Sequence, residues 1–196
     1  MKIFLDTCDV CAVATAQTTG LIEGVTTCHN RIVQAGRRPR DVYHELLTMG
    51  IPHISAEFLG SATDIVRDAK EVLDEFDDSR LVIKVPCTRD GLSACKELKR
   101  DRHQVNVTLV FSAAQSILAS KSKADFVSVP VGLIDENSIA GLEVVRSVVE
   151  LCRRSDTQVI ADNIHDVYKV TRAFYNGADI VSMPPSIFDK MYDPVL

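Results

Sequence analysis

Short apolar runs alternate with amphipathic stretches along the whole chain. Lys2-Ile3-Phe4-Leu5 reads as a strand ending at Asp6. Thr7 then starts a helix that runs to about Thr19 and stops at Gly20. Gly24-Val25-Thr26-Thr27 forms the end of a second strand, and a helix over residues 40–49 is closed by Gly50. Residues 52–57 predict a third strand that finishes on a carboxylate. Residues 63–76 predict an amphipathic helix with Ile65, Ala69, Val72 and Phe76 on one face. Leu81-Val82-Ile83-Lys84-Val85-Pro86 is a strand buried on both faces, interrupted by one lysine and ended by a proline that cannot donate to a ladder.

The pattern continues with a helix over 90–100, a strand over 104–108, a helix over 113–120 and a strand over 125–129. A helix over 139–153, a strand over 158–161, a helix over 167–176, a strand over 179–182 and a last helical turn over 186–191 complete it. Eight strands alternating with helices and joined by short connections predict βα units on a parallel sheet. A single α/β domain over residues 1–196, folded as a (β/α)₈ TIM barrel, is the expected architecture. A doubly wound open sheet is the alternative, without the glycine-rich phosphate loops that usually mark it.

Composition narrows the chemistry. The chain has 196 residues, 46% of them hydrophobic, with a net charge of -5. That balance argues against nucleic acid or an anionic membrane as the main partner. No apolar run reaches the roughly 18 residues of a membrane span. Asp6 interrupts the amino-terminal apolar stretch too early for a signal peptide. Six scattered cysteines suit reduced thiols and a cytoplasmic location better than a disulfide framework.

The carboxyl ends of the predicted strands carry Asp6, Thr26, Glu57, Lys84, Asn106, Thr108 and Ser128. In a barrel these ends converge on one mouth, where catalytic residues gather. Burying Lys84 should favour its free amine. A move from about 10.4 to near 7 corresponds to roughly 4 to 5 kcal/mol. Such an amine attacks carbonyls and forms a Schiff base. Asp6 and Glu57 would move protons, and Asn106, Thr108 and Ser128 would hold hydroxyls. Taken singly, Lys84 could instead snorkel to solvent. Asp6 could simply cap the first helix.

Four segments together resemble the transaldolase family, and within it the small branch of fructose-6-phosphate aldolases. They are Ile3-Phe4-Leu5-Asp6-Thr7, Gly24-Val25-Thr26-Thr27, Ile83-Lys84-Val85-Pro86 and Asn106-Val107-Thr108-Leu109-Val110-Phe111-Ser112-Ala113-Ala114-Gln115. The resemblance implies a metal-independent and cofactor-free class I aldolase of carbohydrate metabolism. It makes Lys84 the imine-forming nucleophile, with Asp6 and Glu57 handling protons, Glu57 through a water. Asn106, Thr108 and Ser128 would grip a dihydroxyacetone unit, which transaldolases pass to an aldose and the aldolases release.

The departures from that family are equally specific. Thr26-Thr27-Cys28-His29 replaces a Thr-Thr-Asn-Pro segment, so Cys28 stands where an asparagine would grip a hydroxyl. Ser128-Val129-Pro130-Val131-Gly132-Leu133 loses an aromatic residue at Pro130 and a phosphate-gripping arginine at Leu133. Asn163-Ile164-His165 replaces a Ser-x-Arg or Ser-x-Lys pair, which leaves Asn163 and His165 as the substrate-facing residues there. A degraded phosphate site is the expectation, because leucine cannot supply the charged fork of an arginine. The chain also ends without the further helix by which small family members dock, so a homo-oligomer weaker than or different from the family's rings is expected.

Four other readings compete. Cys8-x-x-Cys11 with Cys28 and His29 suggests zinc, but no second pair completes a ligand set. Cys28 beside His29 suggests a thiol nucleophile, although adjacent residues seldom face each other. A barrel kept as a binding or assembly module would explain the lost phosphate groups but not the retained lysine and carboxylates. An imine-forming enzyme on an unphosphorylated carbonyl compound explains both.

Overall fold

The computed structural model describes residues 1–137 and 140–194. Eight parallel strands close into a barrel in sequence order. They are β1 (Lys2–Asp6), β2 (Gly24–Thr26), β3 (Ile54–Glu57), β4 (Leu81–Pro86), β5 (Val105–Thr108), β6 (Phe126–Pro130), β7 (Gln158–Asp162) and β8 (Ile180–Met183). The seam closes where Phe4 of β1 pairs with Ser182 of β8. The expected (β/α)₈ TIM barrel is the fold. The predicted start of the helix before β7 at Ile139 lies outside the described residues, and the helix is described from Gly141.

Helices follow every strand. They are α1 (Val10–Gln17), α2 (His29–Gln34), α3 (Pro39–Thr48), α4 (Ala62–Phe76), α5 (Arg89–Arg100), α6 (Ala113–Lys121), α7 (Val131–Glu136), α8 (Gly141–Cys152), α9 (Val167–Tyr175) and α10 (Pro185–Lys190). Most strand-to-helix turns end on a capping side chain that accepts from the first free N–H groups. Asp9 accepts from Cys11 and Ala12, Thr88 from Gly91, and Asp166 from Tyr168 and Lys169. The cap of the first helix is therefore Asp9, which leaves Asp6 free for other work. Ile65, Val66, Ala69 and Val72 form the buried stripe of α4.

Pleating sorts every strand into two faces. Leu5, Ile83, Val107, Val129, Ala161 and Val181 point outward into the core shared with the helices. Burying each large aliphatic side chain there contributes about 1.5–3 kcal/mol. Phe4, Val82, Phe126, Ile160 and Ile180 form a separate cluster that plugs the barrel from inside. A Cβ on Gly24 would lie 2.6 Å from the ring of Phe4, so the absence of a side chain there lets the plug close. Two residues beyond each plug residue, on the same face, stand Asp6, Lys84, Ser128, Asp162 and Ser182. A polar ring therefore sits one pleat above an apolar floor.

Two helices escape the sequence pattern. α2 has Cys28 at its cap position with no capping hydrogen bond, and a single buried residue, Ile32. α7 starts directly after Pro130, and Val131-Gly132-Leu133 carries no start signal. Both are six residues long, too short for a 3.6-residue period to register.

Candidate active site

Lys84 is buried at the carboxyl end of β4, and its Nζ lies 3.3 Å from Oε1 of Glu57. The pairing follows from register, since Glu57 is the partner of Lys84 across β3 and β4. The other carboxylate oxygen of Glu57 accepts the His29 N–H at the start of α2, at 3.0 Å. A cleft of about 590 Å³ between α3 and α4 reaches Glu57 and Phe58 from outside the barrel. The snorkelling alternative for Lys84 does not hold, because only 7% of its side chain is exposed.

Asn106 is the partner of Lys84 on the other side, across β4 and β5. A run of hydrogen bonds fixes its amide. Ser128 Oγ donates to Asn106 Oδ1 at 2.9 Å, Asn106 Nδ2 donates to Ser55 Oγ at 3.3 Å, and Ser55 Oγ lies 2.8 Å from His53 Nε2. Ser55 Oγ accepts from the amide and is also hydrogen-bonded to His53 Nε2, as donor or acceptor according to the imidazole tautomer. The His53 ring lies between Phe4 and Phe126, with centroids 4.6 and 4.8 Å away. Burial in that apolar floor, with the charge of Lys2 adding a little, pushes its pKa down to about 3. A neutral histidine thus terminates the run that orients Asn106.

Asp6 pairs with Arg31 of α2 at 2.9 Å, and Thr26 Oγ1 lies 2.7 Å from Ser182 Oγ. α2 thereby ties to two mouth carboxylates, Asp6 through a guanidinium and Glu57 through a backbone N–H. Thr108 is buried opposite Pro86 at the end of β5. Asp162 at the end of β7 is buried, and its carboxyl accepts the Asn163 N–H at 2.9 Å. Burial, with the charge of Asp6 beside it, pushes that carboxyl up to about 6.

The remaining predicted residues sit nearer the rim. Cys28 is half-buried, and burial pushes its thiol up, with the charge of Glu57 adding to it. A raised thiol is a poor nucleophile. His29 is exposed at the head of α2, and the described residues hold no His, Cys, Asp and Glu group arranged for a metal ion. Asn163 takes a left-handed conformation with φ 57, and its buried Oδ1 has no donor. A Cβ on Gly132 would come within 2.4 Å of that oxygen and 3.0 Å of the ring of His165. Asn163 and His165 therefore meet at the head of α7, beside the half-buried Leu133, although His165 itself is exposed.

A family model described as Transaldolase/Fructose-6-phosphate aldolase matches residues 3–195. The chain belongs to this family. A probable transaldolase of Paracoccus denitrificans is 38% identical over 199 residues, covering 100% of this chain and 91% of the relative. Probable transaldolases of Dinoroseobacter shibae and Rhizobium meliloti are 34% and 36% identical, covering 100% and 95% of this chain and 91% and 86% of the relatives. Membership makes the chain an aldolase/transaldolase-type enzyme of class I. Among the described residues no helix is long and apolar enough to cross a membrane.

Sequence reasoning on this transaldolase-family barrel missed three interior groups: Ser55, Asp162 and Ser182. The predicted seventh strand stopped at Ala161, one residue short of Asp162. The alternation Ile160-Ala161-Asp162 repeats that of Phe4-Leu5-Asp6 and Val82-Ile83-Lys84, a signal strong enough to have found it.

Proposed function

We propose that the amine of Lys84 forms an imine with the carbonyl of a ketose and that the site cleaves or joins the adjacent carbon–carbon bond around a dihydroxyacetone unit. The observation that carries this reading is the buried Lys84–Glu57 pair within a polar ring. Glu57, 3.3 Å away, takes the proton that the ammonium must lose before it attacks. The same carboxyl, with water supplied through the outer cleft, returns a proton to the departing carbinolamine hydroxyl. Asn106, Thr108 and Ser128 line the three-carbon unit, with Thr26 and Cys28 toward β2. Asp6, oriented by Arg31, takes the proton of the hydroxyl beside the bond that breaks. The iminium is the electron sink, so the reaction needs no Lewis acid.

The distal end of the substrate meets Leu133, Asn163 and His165. The buried oxygen of Asn163 without a donor favours a neutral hydroxyl there over a phosphate, since an acceptor repels phosphate oxygens. We assign a free sugar or a comparable unphosphorylated carbonyl compound as the preferred substrate. Borohydride added with dihydroxyacetone and with a panel of ketoses, read by intact mass, tests the reading. A donor adduct at Lys84, lost in Lys84→Met, is expected. No adduct with any carbonyl compound would instead make the barrel a binding module.

A further inference from the structure

The polar ring holds three carboxylates, Asp6, Glu57 and Asp162, and two cations are paired within it. Arg31 pairs with Asp6 and Lys84 with Glu57. Among the described residues no cation pairs with Asp162, which is buried. Asp162 follows the plug residue Ile160 by two positions, as Lys84 follows Val82 and Asp6 follows Phe4, so all three face the same space. The groups that bear on it are Asp6 from β1, Lys84 from β4, Ser182 from β8, its neighbour's N–H at Asn163, and Arg31 of α2 at longer range. Two carboxyls share this corner, and only Asp6 has a guanidinium. A proton shared between them therefore rests on Asp162. Carboxyls driven apart in this way serve as a base and an acid.

We propose that Asp162 is a further catalytic residue, the acid that protonates the enamine carbon left on Lys84 after bond cleavage. The proposal rests on the imine reading above. Asp6 takes the hydroxyl proton, the carbon–carbon bond breaks, and the aldehyde departs. Its bonding pair becomes the enamine double bond. That double bond then takes the proton of Asp162 to form a carbon–hydrogen bond, the nitrogen lone pair restores the iminium, and Asp162 is left ionised. When water adds to the iminium, the released proton returns to Asp162, and departure of the ketone frees the amine, which takes up the proton held by Asp6. Its raised carboxyl suits this exchange near neutral pH. The consequence is a choice of outcome. With Asp162 the three-carbon unit is protonated and released, and without it the enamine waits for an acceptor aldehyde.

The test is exchange of the hydroxymethyl hydrogens of dihydroxyacetone in D2O, followed by NMR, beside borohydride trapping. Exchange runs the same step in both directions. Asp162→Asn should still trap the donor at Lys84 while exchange falls about a hundredfold or more. Wild-type exchange should fall on acidification through about pH 6, because the carboxylate must remove the proton, and the variant should lack this limb. Exchange within twofold of wild type in a variant that still traps would overturn the proposal. Trapping absent from the wild type would overturn the imine reading instead, and this proposal with it. The amide keeps the shape of the carboxyl. Asp162→Ser gives the same comparison should Asp162→Asn not fold.

Discussion

Replacing His53 with leucine should change stability in a way that reverses with pH. The imidazole is buried between Phe4 and Phe126 and hydrogen-bonded to Ser55. Its pKa of about 3 lies below the 6.5 of an ordinary histidine. Between those values the unfolded chain binds a proton at this position and the folded chain does not. Stability therefore falls as pH falls through the window. From pH 6.5 to pH 4 that loss amounts to about 3 kcal/mol, at about 1.4 kcal/mol per pH unit. Leucine does not titrate and escapes it. At pH 7, however, leucine leaves the Ser55 hydroxyl without its partner, which costs about 1–3 kcal/mol. The variant should be less stable than wild type at pH 7 and equal or more stable at pH 4. Urea unfolding of both proteins at half-unit steps measures the difference, in which all other titrating groups cancel. A difference that stays constant from pH 7 to pH 4 would refute the neutral, buried assignment of His53. The variant should also lose kcat/KM, since Asn106 would no longer be held by a directed run of hydrogen bonds.

Gly91→Ala should destabilise the protein by about 3 kcal/mol, more than the roughly 1 kcal/mol that alanine adds to a helix. Its Cβ would lie 2.0 Å from the backbone oxygen of Pro86, two residues beyond Lys84. Thermal melting checks it, and a melting point at or above wild type would contradict the clash. Leu133→Arg should shift kcat/KM toward fructose 6-phosphate over fructose by about ten- to a hundredfold, the contribution of one charge-assisted contact of about 1.5–3 kcal/mol. A wild type that already prefers the phosphorylated sugar a thousandfold would overturn the assignment of an unphosphorylated substrate.

What was legible in the sequence was whatever a two-residue or a 3.6-residue period encodes. Lys84 stood out because a charge in an apolar run contradicts its neighbours, and Pro86 marked where the strand stops. The amphipathic stripe of α4 was similarly local. α2 and α7 were missed because a six-residue helix has neither period nor, here, a capping side chain. The partner of Asp6 was invisible for the same reason, since Arg31 lies on α2. His53 belonged to the predicted third strand, but its place between two rings comes from strands β1 and β6, far away in sequence. Only closure of the barrel brings Phe4 and Phe126 to it. The same closure sets Asp162 beside Asp6, across the seam through β8.

The apolar floor and the polar ring divide the mutational life of each strand between neighbouring positions of one face. Changes at Phe4, Val82, Phe126, Ile160 or Ile180 are read out as folding. On the reading proposed here, changes two residues later, at Asp6, Lys84, Ser128, Asp162 or Ser182, should be read out as chemistry. A population selected only to stay folded would drift at the second set and hold the first, so a library scored twice, by protease resistance and by imine trapping, should separate the two sets position by position. Such a barrel can acquire a new substrate without renegotiating its core, because the groups that meet the substrate rest on the plug and are no part of it.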